Sequence, residues 1–143
     1  MVPACTDGRD LEAGDAREET VAGDTVATRT LVIVNDSPYG SERPFNALRL
    51  ANALAKRPGQ QVRLFLMGDA ASCAGAGQKV PDGYYNLERM LKSLRLKGGE
   101  IGVCGSCMDA RGVTDDRLVE GTARSTLEAL TDWSVWADRV LVF

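Results

Sequence analysis

The chain has 143 residues, with 20 acidic and 17 basic side chains, four cysteines and no histidine. At 44% apolar and 26% charged residues it has the composition of one soluble globular domain, long enough to bury a core of useful size. The missing histidine excludes Ser-His-Asp and Cys-His catalysis, histidine-ligated zinc or haem, and an imidazole pH switch.

Residues 1–29 hold seven acids, three bases, no aromatic side chain and a single Leu. Such a stretch cannot bury enough surface to offset its ordering entropy, so it reads as a disordered acidic tail, with Cys5 a bystander in it. The 114 residues that follow hold 13 acids and 14 bases, and this near-neutral body argues against a nucleic-acid partner. No run approaches the 18 or so apolar residues of a membrane span, and the N-terminus has neither the basic start nor the apolar stretch of a secretory signal. A cytoplasmic, reducing compartment is expected, where the cysteines serve as thiols or catalytic groups rather than a disulfide framework.

Order is expected to begin at Thr30. Leu31-Val32-Ile33-Val34 is a continuous aliphatic run, the mark of a parallel strand covered on both faces. Asn35 to Gly40 form a loop of turn residues, without the GxxxxGK pattern of a phosphate loop. Ser41 then caps a helix with Glu42 in its first turn; Ala47, Leu48, Leu50, Ala51, Leu54 and Ala55 form its apolar stripe, and Pro58-Gly59 ends it. Val62 to Met67 reads as a second strand stopped by Gly68-Asp69, followed by a small-residue stretch from Ala70 to Gly77. Asn86 caps the next helix, with Leu87, Met90, Leu91 and Leu94 on one face and Gly98-Gly99 as the stop. Glu100 to Val103 is a short strand, and a short helix is expected over Met108 to Arg111. Ser125-Thr126-Leu127-Glu128 fits a capping box, Asp132 restarts that helix through Trp133 and Trp136, and Arg139 to Phe143 close the chain as a last strand. Strands alternating with helices predict an α/β fold, a parallel sheet with helices on both faces.

The chemistry candidate is Cys104-Gly105-Ser106-Cys107. Cys104 falls where a buried strand ends, and in open α/β sheets sites form outside the carboxyl ends of strands. Backbone amides of the following turn would stabilise a thiolate there, and Arg111 is expected to add positive charge. Loops from Asn35 to Ser41 and from Gly68 to Gly77 leave the same edge, so Asn35, Tyr39, Ser41 and Asp69 are candidate pocket residues. Cys73 lies on the second loop: either a third thiol on the rim or a small buried residue in an Ala/Gly-rich segment. A CxxC pair can also be half a zinc site, but the remaining ligands would be the distant Cys73 and Cys5, and no metal is expected. Tyr84, Tyr85, Trp133 and Trp136 read as packing or subunit-contact residues.

Several segments taken in order resemble the DsrE/DsrF-like sulfur-relay family, and within it the YchN-like branch. They are Ser37-Pro38-Tyr39-Gly40-Ser41-Glu42, Phe45 to Ala51, Leu64 to Ala70, Gly77-Gln78-Lys79, Gly83-Tyr84, Cys104 to Gly112, and Ala137 to Leu141. The resemblance spans residues 30–143. It implies a three-layer sandwich around a five-stranded, mainly parallel sheet, and small homo-oligomers (homotrimers or homohexamers) or, in the sulfur-relay branch, related hetero-oligomers. No cofactor is expected. It also implies that the position of Cys104 accepts and passes on a persulfide sulfur between donor and acceptor proteins. The relay subunits have one cysteine here, whereas the YchN-like branch shares the Cys107 pair; Cys73 lies outside the pattern. Three functions follow as expectations: a persulfide carrier using Cys104, a thiol–disulfide oxidoreductase using Cys104 and Cys107, and a non-catalytic oligomeric ligand-binding protein.

Overall fold

A computed structural model describes residues 26–143. The tail expected over 1–29 lies, through residue 25, outside the described residues, as does Cys5. Five strands, β1 (Thr28–Val34), β2 (Gln60–Leu66), β3 (Glu100–Cys104), β4 (Ala123–Ser125) and β5 (Arg139–Val142), form one sheet in the order β4-β3-β2-β1-β5. Every pairing is parallel. Four helices accompany them: α1 (Arg43–Ala55), α2 (Leu87–Leu96), α3 (Gly105–Asp109) and α4 (Leu127–Trp136), with a 3-10 helix over Gly68–Ala74.

The aliphatic runs split between two faces, as strand alternation requires. Val32, Val34, Leu64, Leu66, Ile101 and Val103 pack under Ala47, Leu48 and Ala51 of α1 and Leu87, Leu91 and Leu94 of α2. On the other face Leu31 and Phe65 meet Leu130 of α4, with Ile33, Met67, Cys104, Trp133 and Ala137 around them. Phe65 meets the Trp133 ring edge to face, centroids 5.9 Å apart. The expected sandwich is therefore present, with one layer thick and the other a single helix.

Several local expectations are corrected. β1 starts at Thr28, before the aliphatic run, because the Thr28 N–H bonds Gly59 O at 2.7 Å and Arg29 pairs with Asp138 at 2.9 Å. Ser41 is not the cap of α1. Its hydroxyl donates to Asp36 at 2.7 Å, and the helix starts two residues later, with Glu42 at the cap and Pro44 in the first turn pre-setting the backbone. The stretch after β2 is a 3-10 helix rather than a loop. The short helix expected over Met108–Arg111 instead starts at Gly105, directly after Cys104. Ser125 ends β4, Thr126 is the cap of α4, and that helix runs unbroken to Trp136. Asn86 caps α2 as expected, accepting from the Arg89 N–H at 3.0 Å.

Candidate functional site

Register places Cys104. Within β3, Ile101 and Val103 face the α1–α2 layer, so Gly102 and Cys104 face the α4 side. Gly102 lets this happen: a Cβ there would lie 3.1–3.2 Å from Phe65, Ser125 and Trp133. Cys104 ends β3 opposite Ser125 of β4 and is at once the cap of α3, its sulfur accepting from the Cys107 N–H at 3.4 Å. A single turn of helix brings Cys107 back, and the two cysteines are joined as a disulfide with Cα atoms 5.2 Å apart. The expected pair is thus placed so that the two thiols can close as a disulfide. Cys107 Sγ also accepts from the Gly68 N–H at 3.1 Å, which Gly68 directs from a left-handed conformation at φ 56°. The Ser106 hydroxyl lies 3.4 Å from Cys104 Sγ.

The pair opens into a cavity of about 580 Å³ on the α4 side of the sheet. Phe65, Met67, Leu127 and Leu130 make its apolar wall, and Asp109, Arg124, Ser125 and Thr126 its polar one. The cation on this rim is Arg124, not Arg111. Arg124 bonds Gly105 O at 3.2 Å and pairs with Asp109 at 2.9 Å and Asp115 at 2.8 Å; the bonds to Asp115 and then Asp109 hold its guanidinium more firmly charged. Arg111 turns away from sulfur. It pairs with Asp69 at 2.6 Å and donates to Cys107 O at 3.0 Å, so it clamps α3 to the 3-10 helix rather than charging the site.

The other candidates separate from the sulfurs. Cys73 is fully buried under the rim, its thiol donating to Asp36 O at 3.8 Å, and desolvation pushes it up to about 12. Of its two readings, the buried residue is the one observed. Asn35 is tied by its backbone to Phe143 and Ala70. Tyr39, at φ 62°, gives its hydroxyl to Gln78 at 2.6 Å and accepts the Leu87 N–H at 3.1 Å. Its ring joins a stack with Tyr85, which in turn stacks on Phe45 and Tyr84. Tyr39 and Ser41 therefore brace loops beside α1 and α2, Asn35 ties the end of β1 to Phe143 and the 3-10 helix, and none of the three lines the cavity with Cys104; Asp69 reaches the site through Arg111. Sequence reasoning missed Gly68 and Arg124. The first acts through a backbone N–H, and the second lies on a three-residue strand with no apolar signature. Among the described residues, no three Cys, Asp or Glu side chains gather as a metal cage, and no helix is long and apolar enough to cross a membrane.

A family model described as the DsrE/DsrF-like family matches residues 28–143. Protein YchN of Escherichia coli K12 is 40% identical over 116 residues, covering 80% of this chain and 98% of YchN. An uncharacterized protein of Methanopyrus kandleri is 34% identical over 113 residues, covering 78% of this chain and 91% of that protein. The crystal structure of YchN from E. coli superposes with a TM-score of 0.77 at 39% identity, covering 81% of this chain and 99% of that one.

Proposed function

The chain belongs to the DsrE/DsrF-like family, and from that premise we propose that it is a sulfur-relay protein whose Cys104 carries sulfane sulfur as a persulfide. The observation that supports this reading best is the placement of the CxxC pair at the carboxyl end of β3, at the mouth of a cavity of about 580 Å³. Backbone N–H groups of Cys107 and Gly68 point at the two sulfurs and favour negative charge there once the disulfide is reduced.

In the proposed step, the Cys104 thiolate attacks the outer sulfur of a donor persulfide. A Cys104 Sγ–S bond forms, the donor S–S bond breaks, and the donor leaves as a thiolate that takes up a proton. An acceptor nucleophile then removes the outer sulfur and leaves Cys104 as thiolate. Alternatively, Cys107 attacks Cys104 Sγ, expels hydrosulfide and forms the Cys104–Cys107 disulfide, which a dithiol reductant reopens.

The test is mass spectrometry of the reduced chain after incubation with a cysteine desulfurase and cysteine. One added sulfur, about 32 Da, is expected on Cys104 and is lost in Cys104→Ser. Cys107→Ser keeps the adduct and lengthens its lifetime. An adduct confined to Cys5 or Cys73, or none at all, overturns the proposal.

A second reading, a thiol–disulfide oxidoreductase, is favoured by the Cys104–Cys107 disulfide itself. It requires catalytic reduction of a disulfide substrate at the expense of thioredoxin, with no sulfane sulfur involved. Turnover of that kind without a persulfide adduct would select it.

A further inference from the structure

A broad groove separate from the sulfur cavity lies on the outer side of the α1–α2 layer. It has a volume of about 710 Å³ and carries Arg49 and Lys56 from α1 and its end, and Arg89 and Lys97 from α2 and its end. Leu50, Ala53 and Met90 form its apolar floor, and no carboxylate lines it. Among the described residues none of the four cations is ion-paired, although arginines and lysines elsewhere pair with Asp or Glu. Among the described residues Lys97 bonds neutral acceptors, Asn52 Oδ1 at 2.7 Å and the Ser93 carbonyl and hydroxyl. Burial and then the charge of Lys56 push its ammonium toward the neutral form, as expected for like charges lacking a counter-anion.

We propose that this groove is the docking site of the chain's own acidic N-terminal segment, residues 1–25. Three facts select that occupant. Residues 1–25 hold seven carboxylates and only two arginines, complementary to a groove of four cations. The segment joins the fold at the right place. Thr28 N–H bonds Gly59 O in the turn that follows α1, three residues beyond Lys56, so the segment enters at the end of the groove where Lys56 and Lys97 meet. Its length suffices: α1 has 13 residues and spans about 20 Å, which six or so extended residues cover. Asp24 lies within those six residues, and Glu19, Glu18 and Asp15 follow 9, 10 and 13 residues before Thr28, so a turn in the segment brings them back over the groove.

Carbodiimide cross-linking of the full chain, read by mass spectrometry, tests this directly. The chain has four lysines, two in the groove (Lys56, Lys97) and two outside it (Lys79, Lys92) that act as internal controls. Intramolecular links from carboxylates of residues 7–24 to Lys56 and Lys97 are expected. They should disappear in about 0.5 M NaCl, where the screening length falls to about 4 Å. Arg49→Gln combined with Arg89→Gln, both exposed and away from the cysteines, should lower their yield about fivefold while leaving persulfide loading of Cys104 unchanged. Equal linking to Lys79 and Lys92, links between chains instead of within one, or a yield indifferent to salt and to the double substitution would overturn the proposal.

Discussion

The Cys73 thiol is enclosed beside Ala70, Ala71 and Ala74, and loss of hydration pushes it from 9.0 up to about 12, against a smaller opposing pull from its own backbone. In the fold the neutral thiol is the favoured form. Between those two values the unfolded chain ionises while the native chain does not, so native stability falls as pH rises, at about 1.4 kcal/mol per pH unit. Below about pH 9 the term vanishes. Denaturant titrations of wild type and Cys73→Ala at about pH 8 and pH 10 should differ by this slope, wild type losing more; parallel losses would show that Cys73 does not titrate this way. The same burial explains what the residue pattern could and could not show. A CxxC after a buried strand marks Cys104 and Cys107 without any structure. The companion of Arg111, however, is Asp69, 42 positions away, and nothing in the local sequence says that this carboxylate claims the guanidinium before the sulfur can.

Among the elements, the long apolar strands and the helices with clear stripes are legible because periodicity and caps agree. Asn86 and Gly98, the latter at φ 87°, bracket α2 as their residue types require. β4 is different. Ala123-Arg124-Ser125 is an edge strand of three residues, held by its pairing to Gly102–Cys104 and carrying no alternation that could announce it. Missing that strand shifts the apparent cap of α4 by one residue, from Thr126 to Ser125. The side-chain oxygen of Thr126 accepts the Ala129 N–H at 3.2 Å, so Thr126→Ala should cost about 1 kcal/mol and loosen the α4 wall of the cavity. Ser125→Ala, at the end of the strand, should be close to neutral. Thermal melts of the two variants separate these assignments, and equal losses would contradict the Thr126 cap.

At the scale of the whole molecule the two sheet faces are unequally protected. Two helices and the 3-10 segment cover one face, whereas α4 alone crosses the other and buries only Leu130 of its own side chains. Register puts Val140 opposite Leu31 and Val142 opposite Ile33, on that thinner side. Val140 and Val142 are 44% and 65% exposed, and Leu127 and Val135 of α4 are 70% and 83% exposed. Apolar surface gathered on one side of a small domain is the usual mark of a face that other protein covers. Covering it with copies of the same chain agrees with the trimer or hexamer expected from the family resemblance, and gives β5, an edge strand, protection it otherwise lacks. Light scattering should therefore report a multiple of the 15.3 kDa chain mass. Val135→Lys with Val142→Lys should shift it to one chain without loss of circular dichroism, since neither side chain is needed in the core. A wild-type chain that is monomeric at micromolar concentration, or an oligomer indifferent to both lysines, would mean that this face is covered by something other than itself.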